Sequence, residues 1–212
     1  MKKIAIIGSG DLGQLIAHHA VQDGDFEVVG FFDDVTNKST TKEGVQIYGK
    51  SDLVLSHFEK GLFDYIIIGV GYLHFTERAN LFNNLKGKVP FANVIHSSAI
   101  IDSSVSLGEG IFILPGCCLD KGVVINDNVL LNTGVTIAHD SKVEAHTFIA
   151  PRASVAGKTT IGSCCFIGIN STIIDNVVVQ NNIQIAAGAV VVNNLDETGT
   201  YLGCPAKLRA NS

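Results

Sequence analysis

No stretch of the 212 residues approaches the ~20 consecutive apolar positions that a membrane-spanning helix needs. Met1-Lys2-Lys3 runs straight into a strand-like segment without a small-residue cleavage site, so no secretory signal is expected and a cytoplasmic address follows. Basic residues are also scarce: 15 Lys and Arg stand against 20 Asp and Glu, for a net charge of −5. With no Lys/Arg-rich run, nothing offers a nucleic acid an electrostatic footprint. Cysteine pairs at zinc spacing are missing too. Cys117, Cys118, Cys164, Cys165 and Cys204 are odd in number and include no CxxC, which argues against a disulfide framework and a metal site and for reduced, structural thiols.

What the chain does contain is a repeat. From residue 95 an aliphatic side chain recurs every six positions: Ile95, Ile101, Leu107, Ile113, Leu119, Ile125, Leu131, Ile137 and so on without a skip to Val191. The fourth residue after each is mostly small or β-branched, as at Ala99, Val105, Cys117, Val123, Val135, Ser141, Thr147, Ala153 and Thr159. A period of six matches neither the 3.6-residue helix nor plain strand alternation. It fits a parallel β-helix in which each hexapeptide is a short strand plus a turn, three hexapeptides close a triangular coil, and both marked positions face inward. Glycines at Gly108, Gly162 and Gly168, and at Gly116, Gly122, Gly134, Gly157 and Gly188, are expected to serve tight corners or positive φ. Cys117 and Cys165 lie eight hexapeptides apart, which is not a multiple of three, so they belong to different faces and cannot share a metal.

Residues 1–94 read differently. Lys3 to Gly8 is a buried strand, Gly8-Ser9-Gly10-Asp11-Leu12-Gly13 is a GxGxxG turn opening a helix to about Gln22, and Val28 to Phe32 is a second strand ending in Asp33-Asp34. Tyr65 to Ile68 is a further strand ending at Gly69, followed by a helix from about Thr76 to Leu85. The order is that of half a doubly wound α/β sheet. Such a glycine turn lets the backbone approach a phosphate at the helix N-terminus, with Asp33 or Asp34 accepting from a ribose or a base. NAD, a nucleotide-sugar and a purely structural turn all remain open. The small size of the domain, which lacks a second mononucleotide half, favours the nucleotide-sugar.

Within the repeat, Asn132 to Asp140 breaks the apolar rule by placing His139 and Asp140 together at a corner. Transfer of an acetyl group from a thioester to an amine or hydroxyl needs a base for the nucleophile's proton and a donor for the oxyanion. His139 suits the base and Asp140 can orient its ring. Gly157, one coil further on and about 4.8 Å along the stack, brings a backbone amide beside them.

The hexapeptide pattern, as in Ile161-Gly162 and Ile167-Gly168, resembles the left-handed β-helix acyltransferases, and the left hand is implied by that likeness. Taken with Gly8-Ser9-Gly10, Asp33-Asp34, Asn132, His139-Asp140, Ala150-Pro151, Ala156-Gly157 and Gly203-Cys204-Pro205-Ala206-Lys207, the whole chain resembles the sialic acid O-acetyltransferase-type sugar acetyltransferases. UDP-4-amino-sugar N-acetyltransferases are included among these. The resemblance implies a Rossmann-like nucleotide-sugar domain over 1–94 and a left-handed β-helix over 95–212. It implies acetyl-CoA-dependent N-acetylation of a nucleotide-linked deoxyamino sugar for surface glycan synthesis. It further implies catalysis by His139 and Asp140, and substrate contacts from Gly8, Ser9, Gly10, Asp11, Asp33, Asp34, Gly69 and Asn132. Acetyl-CoA would lie against His146, Gly157, Gly162, Ala187, Pro205 and Lys207, in a homotrimer. The chain departs from the family in carrying Asp140 where Glu is common, Phe148 where a second His is common, and Asp11 where some relatives carry His. The alternatives are O-acetylation of sialic acid or a related sugar, and a β-helical scaffold without catalysis.

Overall fold

The computed structural model describes residues 1–209 and divides into two compact units, Met1–Ile95 and His96 onward. The expected boundary, between 94 and 95, falls one residue earlier.

In the first unit, β1 (Lys2–Ile7), β2 (Phe26–Phe32), β3 (Ile47–Gly49) and β4 (Tyr65–Ile68) form a parallel sheet in the order β3-β2-β1-β4. Helix α1 (Asp11–Gln22) links β1 to β2, α2 (Val54–Glu59) follows β3, and α3 (Phe75–Leu85) follows β4. Strand β3 lies where the sequence suggests a small hairpin or loop, and three residues are too few to announce a strand by pattern alone. The sheet's apolar runs are buried on both faces, as parallel strands require. Ala5, Ile7, Phe32, Ile66 and Ile68 pack with Val54, Phe63, Phe82 and Leu85 into one core.

The second unit is a left-handed β-helix. Its strands are mostly two residues long, and each pairs in parallel with the strand one coil on: Val124 with Lys142, Thr136 with Ser154, Phe148 with Phe166. One face stacks Phe112–Ile113, Leu130–Leu131, Phe148–Ile149 and Phe166–Ile167, and the other two faces repeat the arrangement. Inward aliphatics form continuous ladders; Ile113, Leu131, Ile149, Ile167 and Ile185 are fully buried, each worth about 1.5–3 kcal/mol against exposure. The fourth positions, among them Cys117, Val135, Ala153, Thr147 and Thr159, are buried as expected. Ile101, Val105 and Leu107 remain only half-buried, because they belong to the first coil.

Each corner turns through a left-handed residue, and these recur every six positions from Gly110 to Gly188. Nine are not glycine, including Asp140 (φ 58°) and His146 (φ 65°). The strain of such a φ, about 1 kcal/mol or more, is offset by a coil-to-coil hydrogen bond such as Asp140 N–H to the Lys121 carbonyl at 2.9 Å. Gly116, Gly122, Gly134 and Gly188 take the expected positive φ. Gly157 does not, and neither do Gly108, Gly162 and Gly168; a Cβ at the last three would strike the backbone of the next coil. At the far end Leu195 and Tyr201 lie over the ladders. Gly199–Leu202 adds in parallel to Ile183–Ile185 and then pairs antiparallel with Lys207–Leu208, a closing hairpin that the hexapeptide pattern does not announce.

Candidate functional site

Two sites stand out, one in each unit. In the first, a cavity of about 840 Å³ opens at the C-terminal ends of β1, β2 and β4, the side on which parallel α/β sheets bind ligands. Its walls include Gly8, Ser9, Gly10, Asp11, Asp33, Asp34 and Gly69, so seven of the expected substrate residues meet there. The glycines divide the work. A Cβ at Gly8 would press on the Gly69 carbonyl, and one at Gly69 would press on Gly13, which locks the two strand ends to α1. Gly10 faces open space and is free to admit a ligand to the backbone. Helix α1 begins there with no side-chain cap on its first amides.

Both aspartates already have partners within the chain. Asp33 accepts from Ser9 N–H (2.8 Å) and Ser9 Oγ–H (2.6 Å) at Oδ2, and from Val35 and Thr36 N–H (both 2.9 Å) at Oδ1. Asp34 accepts from Ser51 N–H and Oγ–H, both at 2.8 Å. The oxygens of Asp33 thus serve the two neighbouring turns, and those of Asp34 serve the start of the segment after β3. Partial burial pushes the Asp33 carboxyl up, but the hydrogen bonds from Ser9, Thr36 and Val35 outweigh it and hold the group below its ordinary 3.8.

In the second unit, Lys121, His139, Gly157 and Asp175 follow one another up a single corner, one per coil. His139 Nδ1 and Asp140 Oδ2 are 3.0 Å apart, and both side chains are about half exposed (51% and 54%). The hydrogen bond from His139 is the main cause that keeps Asp140 below 3.8. An ionised carboxylate can only accept, so Nδ1 carries the proton and Nε2 is left as the basic atom. The ring lies against Gly157: a Cβ there would sit 2.7 Å from Nε2. That is why this corner residue is glycine despite an ordinary φ. The Gly157 N–H has no acceptor among the described residues. Beneath the turn, the buried Ser141 hydroxyl donates to the Ala156 carbonyl (2.9 Å) and accepts from Thr159 N–H (3.1 Å), which ties the coil of His139 to that of Gly157.

Residues 3–85 match the model of the PglD N-terminal domain. The acetyltransferase domain of PglB from Neisseria gonorrhoeae FA1090 superposes with a TM-score of 0.89 at 28% identity, covering 99% of this chain and 100% of that one. Over nearly its whole length the chain is therefore similar to an acetyltransferase domain. A perosamine N-acetyltransferase from Caulobacter crescentus, solved with CoA and GDP-perosamine, shares the fold at a TM-score of 0.92 and 24% identity, over 100% of this chain and 98% of that one. Among curated proteins, UDP-3-O-acylglucosamine N-acyltransferase of Bordetella pertussis is 36% identical over 66 residues. That match takes in 31% of this chain and 18% of the relative, so the chain spans under a fifth of that protein's length.

The other residues expected to serve as sites are dispersed within the chain. Asn132 sits at a different corner from His139, where its Oδ1 accepts from Thr133 N–H (2.8 Å); Ala187 shares that corner. His146 and Gly162 belong to the third corner, where the nearly buried His146 has Nδ1 3.0 Å from Asn128 Nδ2. Pro205 and Lys207 lie on the closing hairpin. Of the residues expected to bind acetyl-CoA, only Gly157 accompanies His139, because a period of eighteen decides the corner and these positions do not differ by multiples of it. By hexapeptide pattern Ser141 and Thr159 are only small inward residues. Their role as hydrogen-bonded rungs was signalled by a hydroxyl in an otherwise apolar column. No helix is long and apolar enough to cross a membrane, and no cluster of metal-binding side chains occurs, among the described residues.

Proposed function

We propose that this chain transfers the acetyl group of acetyl-CoA to an amino group on a nucleotide-linked deoxyamino sugar. The observation that carries the reading is the His139–Asp140 pair lying beneath Gly157, with Nε2 as its basic atom. The neutral amine attacks the thioester carbonyl carbon while Nε2 takes the amine proton, and Asp140 steadies the imidazolium that forms. The Gly157 N–H is the donor we assign to the oxyanion. When the carbonyl re-forms, the C–S bond breaks and the CoA thiolate recovers the proton from His139, leaving the amide and free CoA. The cavity between β1, β2 and β4 takes the nucleotide, a reading supported by the open backbone at Gly10 and the uncapped start of α1.

A trimer accompanies this reading. Within one chain the residues assigned to acetyl-CoA lie at three corners, and a prism with repeating flat faces brings different corners together only by packing against copies of itself. A cytoplasmic location agrees with the donor, since acetyl-CoA and nucleotide-sugars are cytoplasmic metabolites.

The test is CoA release against a panel of UDP-, GDP-, dTDP- and CMP-linked amino sugars and their hydroxyl counterparts, with wild type and His139→Ala. Turnover on an amino sugar that falls about 10²-fold or more in the variant, with acetyl-CoA affinity kept, supports the reading. Turnover only on hydroxyl acceptors transfers the assignment to O-acetylation, and unchanged turnover in the variant removes His139 from the mechanism.

A further inference from the structure

A carboxylate has room for about four hydrogen bonds, and Asp33 already makes four within the chain. Both positions on Oδ2 go to Ser9, through its amide and its hydroxyl, and both on Oδ1 go to the amides of Val35 and Thr36. In a dinucleotide-binding fold the acid at this strand end reads the ribose hydroxyls; here nothing of it is left for a ribose. What the bonds achieve is mechanical. Ser9 belongs to the glycine turn between β1 and α1, whereas Val35 and Thr36 begin the segment that leads to β3, and both segments line the same cavity. Ser9 is held further by Gln14, whose Nε2 donates to its carbonyl at 3.1 Å, and Gly8 N–H donates to the Phe32 carbonyl at 2.7 Å. Asp33 N–H in turn donates to the Gly49 carbonyl at 2.8 Å, which fastens the strand end to β3.

We propose that Asp33 is a positioning residue that clamps the glycine turn to the 33–36 turn and does not contact the substrate's ribose, so that nucleotide recognition in this cavity owes nothing to a ribose hydroxyl read by Asp33. The inference rests on the nucleotide reading of the cavity for its binding consequence, but not for the clamp itself. Asp33→Asn replaces one acceptor oxygen with an NH₂ group. Wherever that group points, it meets N–H donors, so the clamp opens while the size of the side chain is kept. The depressed carboxyl pKa agrees with an ionised clamp over the working pH range.

The experiment compares wild type, Asp33→Asn and the milder Ser9→Ala, with folding verified by retained acetyl-CoA binding. Affinities for UDP, 2′-deoxy-UDP and 3′-deoxy-UDP are measured on each, together with amide hydrogen exchange at Ser9, Val35 and Thr36. A clamp predicts that Asp33→Asn weakens all three nucleotides by about tenfold or more, with the ratios between them unchanged within about twofold, and that the three amides lose protection. Ser9→Ala shifts all three nucleotides in the same direction by a smaller factor. If the preference for UDP over its deoxy analogues collapses towards one in Asp33→Asn, Asp33 reads the ribose and the proposal is overturned. If no nucleotide binds even the wild type, the nucleotide reading of the cavity fails, and amide exchange then decides on the clamp. Loss of protection in the variant upholds it; protection equal to wild type overturns it.

Discussion

The imidazole of His139 occupies the space that a side chain at Gly157, one coil above, would need. A Cβ at Gly157 would lie 2.7 Å from Nε2 and 2.8 Å from Cε1. Because the contact is with the half-exposed end of a side chain rather than with backbone, the ring yields and the fold does not. Gly157→Ala is therefore expected to leave the melting temperature within a few degrees of wild type while lowering kcat about 10²-fold, by swinging the base off its line and crowding the amide beside it. Calorimetry and steady-state kinetics on the same preparation check this; unchanged kcat removes the contact from the mechanism.

Asp140 is exposed, so its help to His139 is screened, and the orienting pair should matter less than the base itself. Asp140→Asn is expected to cost about three- to tenfold in kcat, well short of the loss in His139→Ala. The hydrogen bond from His139 lowers the carboxyl below 3.8 in the folded chain, so the pair is fully present above that pH and is lost only as pH falls through the lower folded value. An acid limb in the rate profile between pH 5 and 8 then belongs to groups other than Asp140. Titration of the Asp140 carboxyl carbon by NMR, with a midpoint expected below 3.8, checks the sign.

The clamp at Asp33 has its own pH signature. A carboxyl whose folded pKa lies below its unfolded one stabilises the fold above about pH 3.8, and that contribution disappears as pH falls through the folded value. The difference in melting temperature between wild type and Asp33→Asn is expected to be constant from pH 5 to 8 and to shrink below pH 3.8. Melting curves across this range test it; a difference that grows on acidification contradicts the ionised clamp.

Cysteine reactivity should follow position in the coil. Burial pushes the thiols of Cys117 and Cys165 up to about 11, so both stay protonated and shielded at pH 8. Cys204 is exposed. Iodoacetamide at pH 8 is expected to modify Cys204 in the folded protein and to reach Cys117 and Cys165 only after denaturation, as mass spectrometry of the peptides will show. Fast labelling of Cys165 in the native state contradicts the inward stacking.

The sequence alone carried the β-helix, because its signal is one-dimensional. A coil of three hexapeptides repeats every eighteen residues, so each aliphatic from Ile113 to Val191 is assigned its place by counting, and so is the meeting of His139 with Gly157. The β1–α1 turn was legible for a similar reason: Gly8, Gly10 and Gly13 mark a local geometry that few other residues permit. Only the tertiary structure decided how polar atoms are used. That Asp33 is saturated depends on Ser9, 24 residues away, and that Asp34 is engaged depends on Ser51, 17 residues on; no period links these pairs. The closing hairpin at Tyr201–Leu208 also follows from three-dimensional closure, whereas the separation of Asn132, His146 and Ala187 from the corner of His139 follows from the eighteen-residue count. Apolar burial leaves a pattern because it repeats along the chain, whereas a hydrogen bond is satisfied by whichever single partner the fold brings within 3 Å.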